Sequence, residues 1–197
     1  MLTFDKDNLK KKLSSLSHKK RIVFGASCCE RMLPNYKKFE EIEKWGKTQF
    51  LRDLLDKVWD HCKSDLINKK DVDSFIKKCY KVIPDEEDFD TIYTSYAIDA
   101  ASAICSLLEV CVEDDIDNLI SIAELSLNTI DLFVQEEDNM DSRDPNLEEK
   151  ILMTPLMQRE LKKQNDDIET LNKIQIIDER FINEFRSSVE GKSNIQI

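Results

Sequence analysis

Glycine and proline are scarce, at three and four in 197 residues. Sandwiches and barrels turn about every 8–12 residues, and phosphate or dinucleotide loops need clustered glycines. The sequence stands against all of these, and neither GxxxxGK nor GxGxxG occurs. Only two histidines are present, His18 and His61, and HExxH is absent. No apolar run approaches the roughly 18 residues of a membrane-crossing helix. The first twelve residues, MLTFDKDNLKKK, have no apolar stretch after their charges, unlike a secretory signal. The six cysteines at 28, 29, 62, 79, 105 and 111 form no CxxC and fall within apolar stripes, which predicts reduced, buried thiols.

What is present is helical periodicity. Leu9, Leu13 and Leu16 space out a first, basic helix. Residues 22–33 read as a second, ended by Pro34, and 34–45 as a third, stopped by Gly46. Phe50, Leu51, Leu54, Leu55, Val58, Trp59 and Cys62 line one face of the next. Val72, Phe75, Ile76, Cys79, Tyr80 and Ile83 repeat the pattern up to Pro84. Residues 91–112 are apolar nearly all round, and Ala97, Ala100, Ala101 and Ala103 keep that segment thin, as the centre of a bundle requires. A further amphipathic helix follows over 116–134, then a polar loop over 135–145. Thr154 and Pro155 have the form of an N-cap and first-turn proline. They open a last helix that reads as continuous to Val189, about 50 Å long. The expectation is one all-α domain over 1–197: a multi-helix bundle with a central apolar helix, a long C-terminal helix and a short tail over 190–197.

Charge is segregated. The whole chain carries −11, which argues against a general nucleic-acid binder. Residues 1–38 hold ten Lys/Arg against three Asp/Glu, a net of +7. Residues 85–144 hold eighteen Asp/Glu against Arg143 alone, a net of −17. Apolar positions claim the inner helix faces, so Glu109, Glu113, Asp114, Asp117, Glu124 and Asp131 are expected outside, with Glu136, Glu137, Asp138 and Asp141 beyond them. Such a patch either solvates the helices or attracts a basic partner. The basic clusters at Lys10–Lys12 and Lys19–Arg21 are expected to snorkel around the first helices rather than grip nucleic acid.

Chemistry is thinly signalled. Glu113-Asp114-Asp115-Ile116-Asp117 lacks the turn glycine of a calcium loop, and no metal or other cofactor is expected. Cys28 or Cys29 with His61 is the only cysteine–histidine combination worth naming, and nothing in the sequence places the pair together. Asp99 lies on the all-round apolar helix, and Arg31 sits in the apolar run Cys28-Cys29-Glu30-Arg31-Met32-Leu33. Buried charges need partners. A structural Arg31–Asp99 ion pair is therefore expected inside the bundle.

Cys29-Glu30-Arg31-Met32 followed by Pro34-Asn35-Tyr36, then Phe50-Leu51-Arg52 to Val58-Trp59, resemble the YjaG-like bacterial proteins. That family is catalogued as domain of unknown function 416. Ile83-Pro84, Asp88-Phe89-Asp90, Tyr96-Ala97-Ile98-Asp99-Ala100 and the ending Ser193-Asn194-Ile195 follow its pattern in the same order. The resemblance implies an all-α bundle in the cytoplasm and transfers no catalytic residue. Together with the charge pattern it leads to a non-enzymatic expectation. The chain reads as an acidic helical protein that masks a basic protein partner, most specifically an immunity protein neutralising a nuclease toxin of bacterial competition. No membrane and no direct nucleic-acid contact are expected. The alternatives are a housekeeping structural or regulatory bundle, self-associating in one version, and an enzyme built on Glu30, Asp99 and Tyr96.

Overall fold

The computed structural model describes residues 1–64 and 66–196. Among them the chain forms nine α-helices and no strand. They are α1 (Lys6–Ser14), α2 (His18–Glu43), α3 (Thr48–Ser64), α4 (Lys69–Cys79), α5 (Tyr93–Val110), α6 (Ile116–Glu137), α7 (Leu147–Met153), α8 (Pro155–Lys173) and α9 (Glu179–Ser187). Two 3-10 turns, Tyr80–Val82 and Glu86–Asp88, link α4 to α5. The all-α expectation holds.

The apolar α5 packs centrally, with α2 and α6 as its principal neighbours. It shares that position with α2, whose residues 21–33 are all buried. Close approach is visible at Gly25, where a Cβ would meet Leu107 Cδ1 at 2.8 Å and Leu119 Cδ2 at 3.0 Å. A second apolar cluster joins Tyr96, Leu127, Ile130, Ile151, Met157 and Leu161 where α6, α7 and α8 meet. No described helix is long and apolar enough to cross a membrane.

Four local expectations are corrected. Pro34 does not end a helix; α2 runs through it for 26 residues. Proline cannot donate to the Glu30 carbonyl. One residue later the Arg31 carbonyl accepts from the Asn194 N–H at 2.9 Å, so the tail repairs part of the disturbance. Beyond it Tyr36 is anchored by donating to the Val82 carbonyl at 2.5 Å. The α2 terminus is Lys44, in the left-handed region at φ 56°, rather than Gly46.

The long C-terminal helix is two helices, parted between Lys173 and Glu179. Ile174, Ile176 and Ile177 crowd β-branched residues into the junction. Asp178 then caps α9 by accepting from the Phe181 N–H at 2.8 Å. Thr154 does cap α8, accepting from the Met157 N–H at 3.4 Å. The polar loop begins later than expected, because α6 reaches Glu137, and α7 follows it. Of the tail, Ile197 lies outside the described residues.

The cysteines are buried as expected but not all free. Cys79 and Cys105 are disulfide-bonded between α4 and α5, with Cα atoms 6.3 Å apart, while Cys28, Cys29, Cys62 and Cys111 are buried thiols. Each of the two bonded residues lies on its own apolar stripe, so the packing that buries them also brings them together.

Candidate functional site

Arg31 does not pair with Asp99. It faces α8, where Nε and Nη2 donate to the two Glu160 carboxylate oxygens at 2.9 and 2.6 Å. Nη1 donates to the Ser27 carbonyl at 2.8 Å and lies 3.5 Å from Asp167. Ser27 Oγ donates to Asp167 at 2.7 Å, and Ser126 Oγ to Glu160 at 2.8 Å. Burial alone would push the Glu160 carboxyl up. The Arg31 charge and the bonds from Arg31, Ser126 and Gln164 outweigh it and hold the group below its ordinary range. Glu160, Gln164 and Asp167 are buried on α8. Their spacing of four and three, beside Leu161, Ile168 and Leu171, is the signal that one polar row faces inward.

Asp99 instead lies 2.9 Å from Thr129 Oγ1, half-buried. Burial raises its carboxyl from 3.8 to about 6, against the lowering effect of Thr129. The Tyr96 hydroxyl is buried without a hydrogen-bond partner among the described residues.

Glu30 occupies a second ionic centre. Its carboxylate accepts two bonds from Arg52, both at 2.7 Å, and one from Trp59 Nε1 at 2.7 Å. Arg186 stands 3.7 Å away and pairs with Asp56 at 2.5 Å. Beside this centre Pro34, Lys37, Gln49 and Glu190 line an open cleft of about 790 Å³. The tail closes the adjoining side. Ser193 Oγ donates to Asn35 Oδ1 at 2.6 Å, and Asn35 Nδ2 donates to Asn194 Oδ1 at 2.8 Å. The residues that carry the family resemblance thus interlock across α2, α3 and the tail.

The acidic face is divided by partners distant in sequence. Lys69 pairs with Glu113, Lys10 with Asp117 and Lys6 with Glu124, each at 2.6 Å. Arg21 binds Asp114 through two nitrogens and also donates to the Leu16 carbonyl at 2.7 Å. Glu109 accepts from Asn118 at 3.1 Å, Asp131 from Gln135 at 2.5 Å, and Asp141 pairs with Arg143 at 3.2 Å. Glu136, Glu137 and Asp138 are exposed with no basic partner among the described residues. The same holds for Glu148 and Glu149 on α7, which the sequence reading did not single out. The basic N-terminal segment therefore neutralises one end of the patch and leaves the other bare.

Residues 8–197 match the family described as "Protein of unknown function (DUF416)". The chain belongs to this family. Among DUF416 relatives, the "Uncharacterized protein YjaG" of Escherichia coli (strain K12) is 26% identical over 193 residues, covering 94% of each chain. An "Uncharacterized protein" of Haemophilus influenzae is 28% identical over 145 residues, 71% of each. The crystal structure of a DUF416 family protein from Shewanella baltica OS155 superposes with a TM-score of 0.86 at 25% identity, covering 95% of this chain and 97% of that one. DUF416 membership accounts for the bundle and for the interlocked motifs, so the function must be argued from the site.

The residues of the catalytic alternatives have separate surroundings in this DUF416 bundle. Glu30 is enclosed by Arg52 and Trp59, while Asp99 bonds to Thr129 on another face, and no described contact links the two carboxylates. Cys28 lies beside Arg31, its thiol pushed up to about 12 chiefly by burial, whereas His61 Nδ1 accepts from the Ile67 N–H at 3.1 Å. Among the described residues no group of three or more His, Cys, Asp or Glu side chains is arranged to hold a metal ion.

Proposed function

We propose that this chain is a non-catalytic acidic binding protein that masks a basic protein partner, and most specifically a cytoplasmic immunity protein that neutralises a nuclease toxin. The observation that carries this reading is the bare end of the acidic face. After Lys6, Lys10, Arg21 and Lys69 have taken their partners, Glu136, Glu137 and Asp138 remain exposed and uncompensated among the described residues. Nucleases that grip phosphates present basic clefts, and like-charged carboxylates on a helix end are complementary to such a cleft. The basic clusters at Lys10–Lys12 and Lys19–Arg21 do not compete with this reading. Lys10, Lys12, Lys20 and Arg21 are engaged with Asp117, Asn165, the Ile174 carbonyl and Asp114.

The test is association with a purified cationic nuclease across a salt series. The parent should associate at a rate that falls steeply with ionic strength. Glu136→Lys with Glu137→Lys and Asp138→Lys should stay folded and lose about tenfold or more in association rate at low salt. A variant that binds and inhibits the nuclease like the parent would leave these carboxylates as a solvated face.

A further inference from the structure

Beside that bare end lies a groove that combines two chemistries. Its floor is apolar: the half-buried Phe4 and Leu152 lie over the buried Leu127, Ile151, Met157 and Leu161. Its rim is acidic: Glu124 and Asp131 on α6 face Glu148 and Glu149 on α7. The groove is open to solvent, with about 370 Å³ of space. No basic side chain lines it among the described residues.

The local sequence explains the shape. Glu124, Leu127, Asn128 and Asp131 recur at steps of three, one and three on α6, so one helix face presents carboxylate, leucine, amide and carboxylate in a row. Thr154 ends α7 and starts α8 with no intervening loop, which sets Ile151 and Leu152 against Met157. The opposite wall is the N-terminal strap. Its Leu2 is held in both directions by Gln158, the Leu2 N–H donating to Oε1 and the Leu2 carbonyl accepting from Nε2, both at 2.8 Å.

We infer that this groove receives an amphipathic basic helix of the partner protein, apolar side chains on the floor and lysines or arginines against the rim. The inference rests on the masking reading and names the chemistry of the segment recognised. An apolar floor alone would accept many occupants. Four carboxylates around it, only Glu124 with a basic partner among the described residues, select a cationic one. A fully solvated cationic loop would gain nothing from the floor. A helix with apolar residues three and four apart satisfies both surfaces at once.

The probe is a synthetic helical peptide with leucines along one face and flanking lysines, titrated calorimetrically against the full chain. A scrambled isomer of the same composition is the control for charge alone. The helix should bind at least about tenfold more tightly than its isomer, with an affinity that falls as salt rises. Glu148→Lys with Glu149→Lys should weaken it about tenfold and flatten the salt dependence. Asn128 is exposed, so Asn128→Trp fills the groove without removing a core contact, and should weaken the peptide by a similar factor at unchanged circular dichroism. Equal binding of the two isomers, or full affinity in folded Asn128→Trp, would overturn the inference. The cationic nuclease run in parallel separates the two claims. Nuclease capture that survives Asn128→Trp, with no peptide binding, sinks the groove and keeps the masking role. Peptide binding without nuclease capture does the reverse.

Discussion

Carboxylates inside this bundle and carboxylates on its α6 face are the same functional group under opposite constraints. Inside, Glu160 takes bonds from Arg31, Ser126 and Gln164, and Glu30 from Arg52 and Trp59. Outside, Glu113 and Asp117 each hold one lysine whose side chain is at least half exposed. Removal from water makes an unpaired interior charge expensive, so its partners have to be built into the fold. Solvent does that work outside, where one exposed lysine or none suffices. Asp114 is the intermediate case: it is exposed itself, yet its partner Arg21 is buried and bonded to the Leu13 and Leu16 carbonyls.

This contrast orders the expected effects of substitution. The largest belongs to Arg31→Met, which strands Glu160 in the interior, while Asp167 keeps Lys163 and Ser27. Urea denaturation should register a loss of roughly 3–5 kcal/mol. An effect below about 1 kcal/mol would mean that water reaches this centre and that interior and surface do not differ as described. Glu30→Gln keeps the shape but weakens three donor contacts, and should cost about 1.5–3 kcal/mol.

Asp99 should behave with the opposite sign. Its folded carboxyl titrates near 6, raised by burial above the ordinary 3.8, so the native state holds a proton that the unfolded chain has released. The stabilising proton is fully present below about pH 4, and stability declines as pH rises through about 6. Asp99→Asn should remove that slope and stabilise the protein at neutral pH by about 1–2 kcal/mol. Melting temperatures measured from pH 4 to 8 on both proteins decide it. A destabilised Asp99→Asn across the range would restore a structural pairing role for the carboxylate.

The smallest effects separate the surface acids from one another. Glu113→Gln and Asp117→Asn should each leave the melting temperature essentially unchanged. Asp114→Asn, which leaves a buried guanidinium with less compensation, should cost about 1 kcal/mol. Equal values for all three would erase the distinction drawn between them.

What is local in this fold is legible in its residues. The stripes of α3 and α6, the apolar girth of α5 and the Thr154 cap follow from spacing within a few turns. Long-range choices were not legible. Arg31 had a plausible mate in Asp99, but its actual carboxylates lie 129 and 136 residues away, on a helix whose inward polar row resembles a solvated one. Pro34 carried a strong local stop signal that burial of α2 on both sides overrode. The opposed charges of the two halves were visible, and they do meet. Which acids would be neutralised and which left bare depended on the packing of α1 against α6. The groove combines α6, α7, α8 and the N-terminal strap, so no single window of sequence displays it.

The buried tail ties together parts of the chain that are far apart in sequence. Asn194 reaches the Arg31 carbonyl, Asn35 and the Ser126 carbonyl, so one side chain and its own amide bridge α2 and α6. Each of those helices can form on local contacts alone. Their buried polar groups are satisfied only when the tail is seated, so the tail makes the order of the interior a property of the whole fold.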